Sequence, residues 1–116
     1  MLGIDIVDIE QIKVVYDKHG RHFLDKILTP REINDLLKCS PKIFFHRLAY
    51  YFAAKEAVFK ACGDSHLGWK DIIIRRMNPH PEVEIQRSDF RSKISLTFSA
   101  TRDIVIAQAV VSHPHP

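Results

Sequence analysis

The chain has 116 residues, of which 46% are hydrophobic, and this is enough for one globular domain. Its core would be modest in size, so an oligomer could bury further apolar surface. Lysine and arginine total 17 against 14 acidic residues, a formal net charge of +3. This small excess suits an acidic partner or a phosphate-rich ligand and is far below the basic runs of dedicated nucleic-acid-binding segments. The apolar runs have the length of strands, so no membrane span is predicted.

The two cysteines, Cys39 and Cys62, form no CxxC or CxxH pattern. In a chain without a secretory leader they are expected to be free thiols in a reducing compartment, so we predict a cytoplasmic protein. No repeat or linker divides the sequence. We therefore expect one domain over residues 1–112 and a short flexible tail over residues 113–116.

The first segment, residues 2–9, is apolar and β-branched and predicts a strand. Side chains alternate along a strand, so Asp5 lies on the opposite face from Ile4 and Ile6. A carboxylate in such a strand either points to solvent or has a charged partner or a metal ion, and the sequence leaves both possibilities open. Gly3 would let another part of the molecule approach the strand backbone closely.

Three helices are predicted next. The first covers about residues 9–18 and ends at His19-Gly20, and a second, short helix surrounds residues 23–27. Thr29-Pro30-Arg31-Glu32 predicts a capped start for the third helix, which is expected to turn Ile33, Leu36 and Leu37 inward.

The longest predicted helix begins at Ser40-Pro41 and ends at Gly63. Residues four apart stack on one helix face, so Phe52, Glu56 and Lys60 form a column. A carboxylate and an ammonium one turn apart can serve a metal-bound phosphate, since one ligates the cation and the other neutralises phosphate oxygens. An ordinary surface ion pair has the same spacing, and spacing alone leaves both interpretations open.

Beyond a predicted loop at residues 64–68, the sequence changes from helical to strand-like. Strands are predicted at residues 69–75, 82–86, 93–99 and 104–111. One strand, then helices, then antiparallel strands predicts an α+β fold, in which an antiparallel sheet packs against a long central helix and shorter helices. Trp69 and Tyr16 are expected to be core or interface aromatics.

Several of these segments, in this order, resemble the holo-[acyl-carrier-protein] synthases, the small single-domain branch of the 4'-phosphopantetheinyl transferases. The resemblance lies in Gly3-Ile4-Asp5-Ile6-Val7, in Thr29-Pro30-Arg31-Glu32, in Phe52-Ala53-Ala54-Lys55-Glu56-Ala57 leading to Lys60, in Trp69-Lys70-Asp71-Ile72, and in Ser99-Ala100-Thr101-Arg102-Asp103. An Asp in the first strand together with KEA-x-x-K on the long helix is a fairly specific combination, whereas KEA alone carries no information.

The resemblance implies a reaction: the 4'-phosphopantetheine arm of coenzyme A moves onto a serine hydroxyl of an apo acyl carrier protein, and adenosine 3',5'-bisphosphate leaves. It also implies that Asp5 and Glu56 hold a Mg²⁺ ion, which would stabilise charge on the phosphoryl oxygens. Glu56, or a water that it orients, would accept the serine proton, and Lys60 would neutralise the leaving phosphate.

Further roles follow from the same resemblance. Lys60 and Ser99 are assigned to coenzyme A binding. Lys55 is either a second phosphate contact or a solvated surface lysine. Lys13 and Arg21 are expected to meet the acidic carrier protein. The resemblance also implies a homotrimer with active sites between neighbouring subunits.

The chain departs from the family pattern at four places. Gln11 and Tyr51 stand where arginines are expected, Asp64-Ser65-His66 replaces a glycine-rich turn, and Ala100 replaces a histidine. These changes leave a second hypothesis open, a weak or inactive relative that binds coenzyme A or a carrier protein without transfer. A third hypothesis, a small basic nucleic-acid-binding domain, depends on a sequence pI near 9.0 alone.

Overall fold

The first and last strands of the chain lie side by side. In a computed structural model that describes residues 1–63, 66–77 and 80–112, without the side chain of Arg76, β1 (Leu2–Asp8) pairs antiparallel with β5 (Ile104–Ser112). On its other side β5 pairs antiparallel with β4 (Lys93–Ala100), so the sheet order is β1-β5-β4. A separate antiparallel pair consists of β2 (Ile72–Arg76) and β3 (Glu82–Ile85).

Four α-helices stand between β1 and β2 in this described part of the chain. They are α1 (Ile9–His19), α2 (Arg21–Ile27), α3 (Pro30–Leu37) and α4 (Pro41–Cys62). With the antiparallel sheet they give the predicted α+β class. None of the helices is long and apolar enough to span a membrane. The predicted tail at residues 113–116 and part of the predicted loop at residues 64–68 lie outside the described residues.

The helix ends follow the sequence signals. Gly20 and Gly63 end α1 and α4 with φ of 55° and 67°, in the left-handed region that glycine adopts without steric cost. Thr29 and Glu32 form the predicted capping box: the Glu32 backbone N–H donates to Thr29 Oγ1 at 3.3 Å, and the Thr29 N–H donates to Glu32 Oε1 at 2.9 Å.

Helix α4 covers the inner face of the three-stranded sheet. Its buried surface there is built largely of alanines, which keep the helix close to the strands; Ala53, Ala54, Ala57 and Ala61 are all fully buried. The facing β5 residues Val105, Ala107 and Ala109 are fully buried as well. The inner face of the sheet is therefore the core of the molecule.

The other side of the sheet carries an exposed aliphatic surface, called here the apolar outer face. It consists of Leu2, Ile4 and Ile6 from β1 and Ile104, Ile106 and Val110 from β5, all exposed. Exposed aliphatic side chains on one continuous strand pair are typical of a surface that meets another protein.

Two predictions from the sequence need correction. Residues Trp69–Asp71 form a 3₁₀ turn ahead of β2 rather than the start of the strand. Leu37, expected inward, is 52% exposed. It closes the short helix α3, whose buried side holds Glu32, Ile33 and Leu36 instead.

A buried ion pair joins the helices to β2. Lys55 and Glu32 are almost completely inaccessible, and the Lys55 ammonium donates to Glu32 Oε1 at 2.7 Å. The second carboxylate oxygen, Glu32 Oε2, accepts the backbone N–H of Ile74 at 2.8 Å. Burial lowers the pKa of Lys55, and the Glu32 carboxylate opposes that shift.

We expect Lys55→Met to lower the free energy of unfolding by about 3–5 kcal/mol, because it leaves the Glu32 carboxylate buried without its cation. Urea denaturation followed by circular dichroism measures this change. Lys70→Met is the matched control, since Lys70 is exposed and its loss is expected to cost under about 0.5 kcal/mol. Equal midpoints for the two variants would contradict the prediction.

Candidate active site

Helix α4 touches the backbone of β1 at Gly3. A Cβ atom placed on Gly3 would lie 2.1 Å from the Ala57 carbonyl oxygen and 2.6 Å from the Ala61 backbone nitrogen. Backbone atoms cannot yield to such contacts as a flexible side chain could, so glycine is needed here for space. The sequence predicted a close approach at Gly3, and α4 is the element that approaches.

This contact brings Asp5 to α4. Asp5 is two residues beyond Gly3, so it points toward α4 from the same face of β1. Lys60 Nζ donates to Asp5 Oδ1 at 3.1 Å and to the Ile4 carbonyl oxygen at 3.0 Å. The Asp5 side chain is only 14% exposed, so the interpretation of Asp5 as a solvent-facing residue is wrong.

Glu56 completes the group. Burial raises the pKa of the Glu56 carboxyl group, the negative charge of Asp5 raises it further, and the positive charge of Lys60 opposes both. Asp5 and Glu56 therefore act on each other although they are about fifty residues apart in sequence. We call Asp5, Glu56 and Lys60 together the candidate active site.

The remaining member of the predicted three-residue column, Phe52, packs inward as expected. Its ring stacks on Trp69 at a centroid distance of 5.5 Å and contacts Phe23 at 6.1 Å. Phe59, one turn further along α4, meets Trp69 edge-on at 5.0 Å. An aromatic surface thus borders the candidate active site on α4, which agrees with the prediction that Trp69 is a core or interface aromatic.

Among the described residues, no group of three or more histidine, cysteine, aspartate or glutamate side chains could hold a metal ion. Asp5 and Glu56 nevertheless fit Mg²⁺ by donor chemistry. This ion takes oxygen ligands and commonly uses one or two carboxylates, with water or substrate phosphate in its other positions. The Lys60 ammonium lies beside Asp5, so the candidate active site already contains one positive charge next to this carboxylate.

The structure corrects both sequence interpretations of Lys55. It is not a surface lysine, since its side chain is fully buried. Its ammonium donates to three protein oxygens, Glu32 Oε1 at 2.7 Å, the Ile27 carbonyl at 2.9 Å and the Trp69 carbonyl at 3.1 Å. An ammonium has three N–H donors, so none is left for a phosphate.

Ser99 lies apart from the other predicted site residues. In the sheet register Ser99 and Ile6 are both paired with Ile106, whereas Asp5 is paired with Ala107. Directly paired residues share a face, so Ser99 belongs to the apolar outer face side and Asp5 to the inner face. Within one chain, Ser99 therefore does not join Asp5, Glu56 and Lys60.

The two residues expected to meet a carrier protein lie on α1 and at the start of α2. The Lys13 ammonium is 5.6 Å from the centre of the Phe45 ring and 4.0 Å from Glu10, and Arg21 donates to Asp25 Oδ1 at 3.1 Å. Exposed pairs of this kind contribute little free energy, so both cations can exchange partners readily.

Three of the four departures from the family pattern fall on described residues. Gln11 is exposed on α1, and Ala100 is exposed at the end of β4. Tyr51 is buried, and its burial raises the pKa of the phenol, which Glu32 and Asp35 raise further. Tyrosine thus occupies an interior position at which the resemblance leads us to expect an arginine. Ser65, in the fourth departure, lies outside the described residues.

Sequence reasoning assigned Glu32 only to the capping box and missed its buried pairing with Lys55. As the third residue of a capping box, its carboxylate already had an assigned partner in the Thr29 N–H. Its partner Lys55 is 23 residues away in sequence. In the sequence Lys55 looks like any other polar residue of a helix, so nothing pointed to the pair.

The family model described as the 4'-phosphopantetheinyl transferase superfamily matches residues 1–109. A holo-[acyl-carrier-protein] synthase of Chlorobaculum parvum is 36% identical over 115 residues, covering 95% of this chain and 96% of the relative. The same enzyme of Campylobacter hominis is 42% identical over 89 residues, covering 73% and 72% of the two chains.

Solved structures agree with these relatives. The holo-[acyl-carrier-protein] synthase of Helicobacter pylori, in complex with coenzyme A, has a TM-score of 0.81 and 30% identity, covering 97% of this chain and 100% of that one. The Neisseria meningitidis synthase has a TM-score of 0.83 and 30% identity, with 96% of each chain covered. The chain therefore belongs to the holo-[acyl-carrier-protein] synthase family, a branch of the 4'-phosphopantetheinyl transferase superfamily.

We expect Gly3→Ala to force α4 away from β1 and to weaken the Lys60–Asp5 contact, at a cost of about 1–3 kcal/mol in unfolding free energy. Urea denaturation measures the stability, and the NMR shift of the Lys60 ammonium measures the contact. Gly68→Ala is the control, because a Cβ atom there meets only Asp71 Oδ2 at an ordinary 3.6 Å. A Gly3→Ala protein as stable as this control would disprove the proposed spatial constraint.

Proposed function

We propose that this chain transfers the 4'-phosphopantetheine arm of coenzyme A to a serine hydroxyl of an apo acyl carrier protein and releases adenosine 3',5'-bisphosphate. The observation that carries the proposal is the meeting of Asp5 on β1 with Glu56 and Lys60 on α4. Family membership supplies the substrate class, and the Helicobacter pylori relative was solved with coenzyme A.

Asp5 and Glu56 are the residues that would hold Mg²⁺. When bound, this ion supplies a positive charge that offsets the charge developing on phosphoryl oxygens. Both carboxylates are held by the backbone of packed elements, one on β1 and one on α4, so little reorganisation is needed to present them together.

Glu56 is also the proposed base. Its raised pKa makes it a stronger proton acceptor than an ordinary carboxylate, so it can take the serine proton directly or through a water molecule. As the proton leaves, the serine oxygen forms a bond to the β-phosphorus of coenzyme A, and the bond from that phosphorus to the departing nucleotide phosphate breaks.

Lys60 would bind the phosphate that departs. Its side chain is 53% exposed, so the ammonium can reach an anion in the solvent-facing part of the site. Asp5 and the Ile4 carbonyl orient it through two hydrogen bonds, which limits the entropy that it would lose on binding. Lys55 has no part in this scheme, because its donors are used inside the protein.

A homotrimer with active sites between subunits is part of the proposal. The apolar outer face supports an assembly, because six exposed aliphatic side chains on β1 and β5 would leave water. Ser99 lies on that same side of the sheet, so its assigned contact with coenzyme A would be made in the site of a neighbouring subunit.

The partner surface would be formed by Lys13 and Arg21, whose exposed ion pairs can be replaced by acidic residues of a carrier protein. A cytoplasmic location is proposed as well. Cys39 and Cys62 are both free thiols, as expected in a reducing compartment.

A second candidate function is binding without transfer. The changes at Tyr51 and Ala100 favour it. A buried phenol and a methyl group stand where the resemblance leads us to expect an arginine and a histidine, two side chains that could bind an anionic ligand. This candidate predicts coenzyme A binding in a calorimeter with no modification of any carrier protein.

Intact-mass spectrometry tests the transfer. We expect an apo acyl carrier protein incubated with this protein, coenzyme A and Mg²⁺ to gain the mass of one phosphopantetheine arm. EDTA should abolish the gain, and Glu56→Gln should slow it by at least about 10²-fold, since it removes a base and a metal ligand together. Asp89→Asn, an exposed change at a residue paired with Arg87 and outside the proposed site and partner surface, is the control. Full activity in EDTA would refute the metal assignment.

Sedimentation velocity tests the assembly. We expect a species of three times the 13.4 kDa chain mass. Ile6→Lys should dissociate it, because Ile6 is 64% exposed and belongs to the apolar outer face. Leu37→Lys makes a similar change at an exposed leucine on α3 and should leave the assembly intact. A wild-type protein that sediments as a monomer at micromolar concentration would contradict the trimer.

A further inference from the structure

The buried lysine beside Glu56 contributes nothing directly to the proposed chemistry, yet it ties four parts of the fold together. Its ammonium donates hydrogen bonds to the Ile27 carbonyl at the end of α2, to the Glu32 carboxylate in α3 and to the Trp69 carbonyl in the 3₁₀ turn. Through the other oxygen of Glu32 the same network reaches Ile74 in β2. A lysine exposed on the surface could not connect these elements through hydrogen bonds.

The contact with Trp69 is the one that leads toward the active site. Lys55 binds the backbone carbonyl of Trp69, and the indole of the same residue lies on α4 against Phe52 and Phe59. Each residue of a helix turns the chain by about 100°, so Phe52 is displaced from Glu56 by only about 40° and Phe59 by about 60° around the axis. The indole therefore covers the part of the α4 surface next to the face that carries Glu56.

Other hydrogen bonds also hold the 3₁₀ turn, and they act on a different residue from the one that Lys55 holds. The Gln86 N–H donates to the Asp71 carbonyl at 2.7 Å, and the Gly68 N–H donates to Asp71 Oδ2 at 2.8 Å. The first bond holds the end of the turn that continues into β2, and the second closes the turn on itself. Trp69, at the other end, is held to the helix by the Lys55 ammonium and by ring contacts.

We propose that Lys55 is a positioning residue: its buried ammonium fixes the Trp69 carbonyl so that the indole, stacked on Phe52 and edge-on to Phe59, forms one wall of the site that contains Glu56 and Lys60. The wall excludes water from that side of the Glu56 carboxylate, and this strengthens charge interactions at the site. It also gives the ligand a defined surface to bind. This inference assumes the coenzyme A site of the proposed function.

The first test needs no ligand, because Trp69 is the single tryptophan of the chain and its fluorescence reports on this position alone. We expect Lys55→Met to shift the emission to longer wavelength and to increase quenching by acrylamide, since the indole loses its anchor. Lys70→Met, which removes the adjacent exposed lysine, should leave both unchanged. A folded Lys55→Met protein with wild-type emission and quenching would overturn the proposal.

The second test asks whether the wall matters to the site. Calorimetry with coenzyme A and Mg²⁺ separates two effects, because the stoichiometry reports the folded fraction and Kd reports the site. We expect Lys55→Met and Trp69→Leu each to raise Kd by roughly tenfold, while Lys70→Met stays within about twofold of wild type. Trp69→Leu keeps the backbone carbonyl that Lys55 binds, so it removes the wall and leaves the anchor.

If Lys55→Met does not fold, Trp69→Leu decides the outcome: an unchanged Kd overturns the proposal, and a raised Kd at full stoichiometry supports it. Failure of the proposed function gives a different pattern, in which wild-type protein does not bind coenzyme A. The fluorescence comparison of Lys55→Met with Lys70→Met then remains the deciding measurement.

Discussion

The contact between Gly3 and α4 is the constraint on which the rest of the structure depends. With no Cβ at Gly3, the backbone of β1 lies against Ala57 and Ala61, and this fixes how close the strand and the helix can be. Asp5, two residues along, then reaches Lys60 at 3.1 Å and shares an electrostatic environment with Glu56. A larger residue at position 3 would separate two halves of the site that are about fifty residues apart in sequence.

A second level of organisation lies behind the site, where Lys55 and Glu32 are buried as a pair. Such a pair is costly to desolvate, and a well-packed apolar pair could replace its stabilising effect. In addition, its hydrogen bonds are directional and fix how four elements are placed. The ammonium and the carboxylate together form hydrogen bonds with α2, α3, the 3₁₀ turn and β2. Neighbouring residues on one helix thus point to different places, Glu56 to the candidate active site with Asp5 and Lys60, and Lys55 to the interior.

The two faces of the sheet divide the functions of the strands. The inner face holds the core and presents Asp5, whereas the outer face holds exposed aliphatic residues and Ser99. One strand can serve both because its side chains alternate. This division bears on the proposed assembly: if Ser99 contributes to the site, it must do so in a neighbouring subunit, because Ser99 and Asp5 of the same chain lie on opposite sides of the sheet.

Local chemistry made much of this predictable from the sequence: the Thr29–Glu32 capping box, the glycines that end α1 and α4, the α+β class, and the shared helix face of Glu56 and Lys60 all follow from propensity, spacing and turn requirements. Resemblance to a family added Asp5. Only the tertiary structure decided that Asp5 faces α4, that Lys55 is buried, that Ile4 and Ile6 are exposed, and that Ser99 lies away from the site. The physical reason is that periodicity specifies which residues share a face, but the face that becomes buried depends on which distant element packs against it.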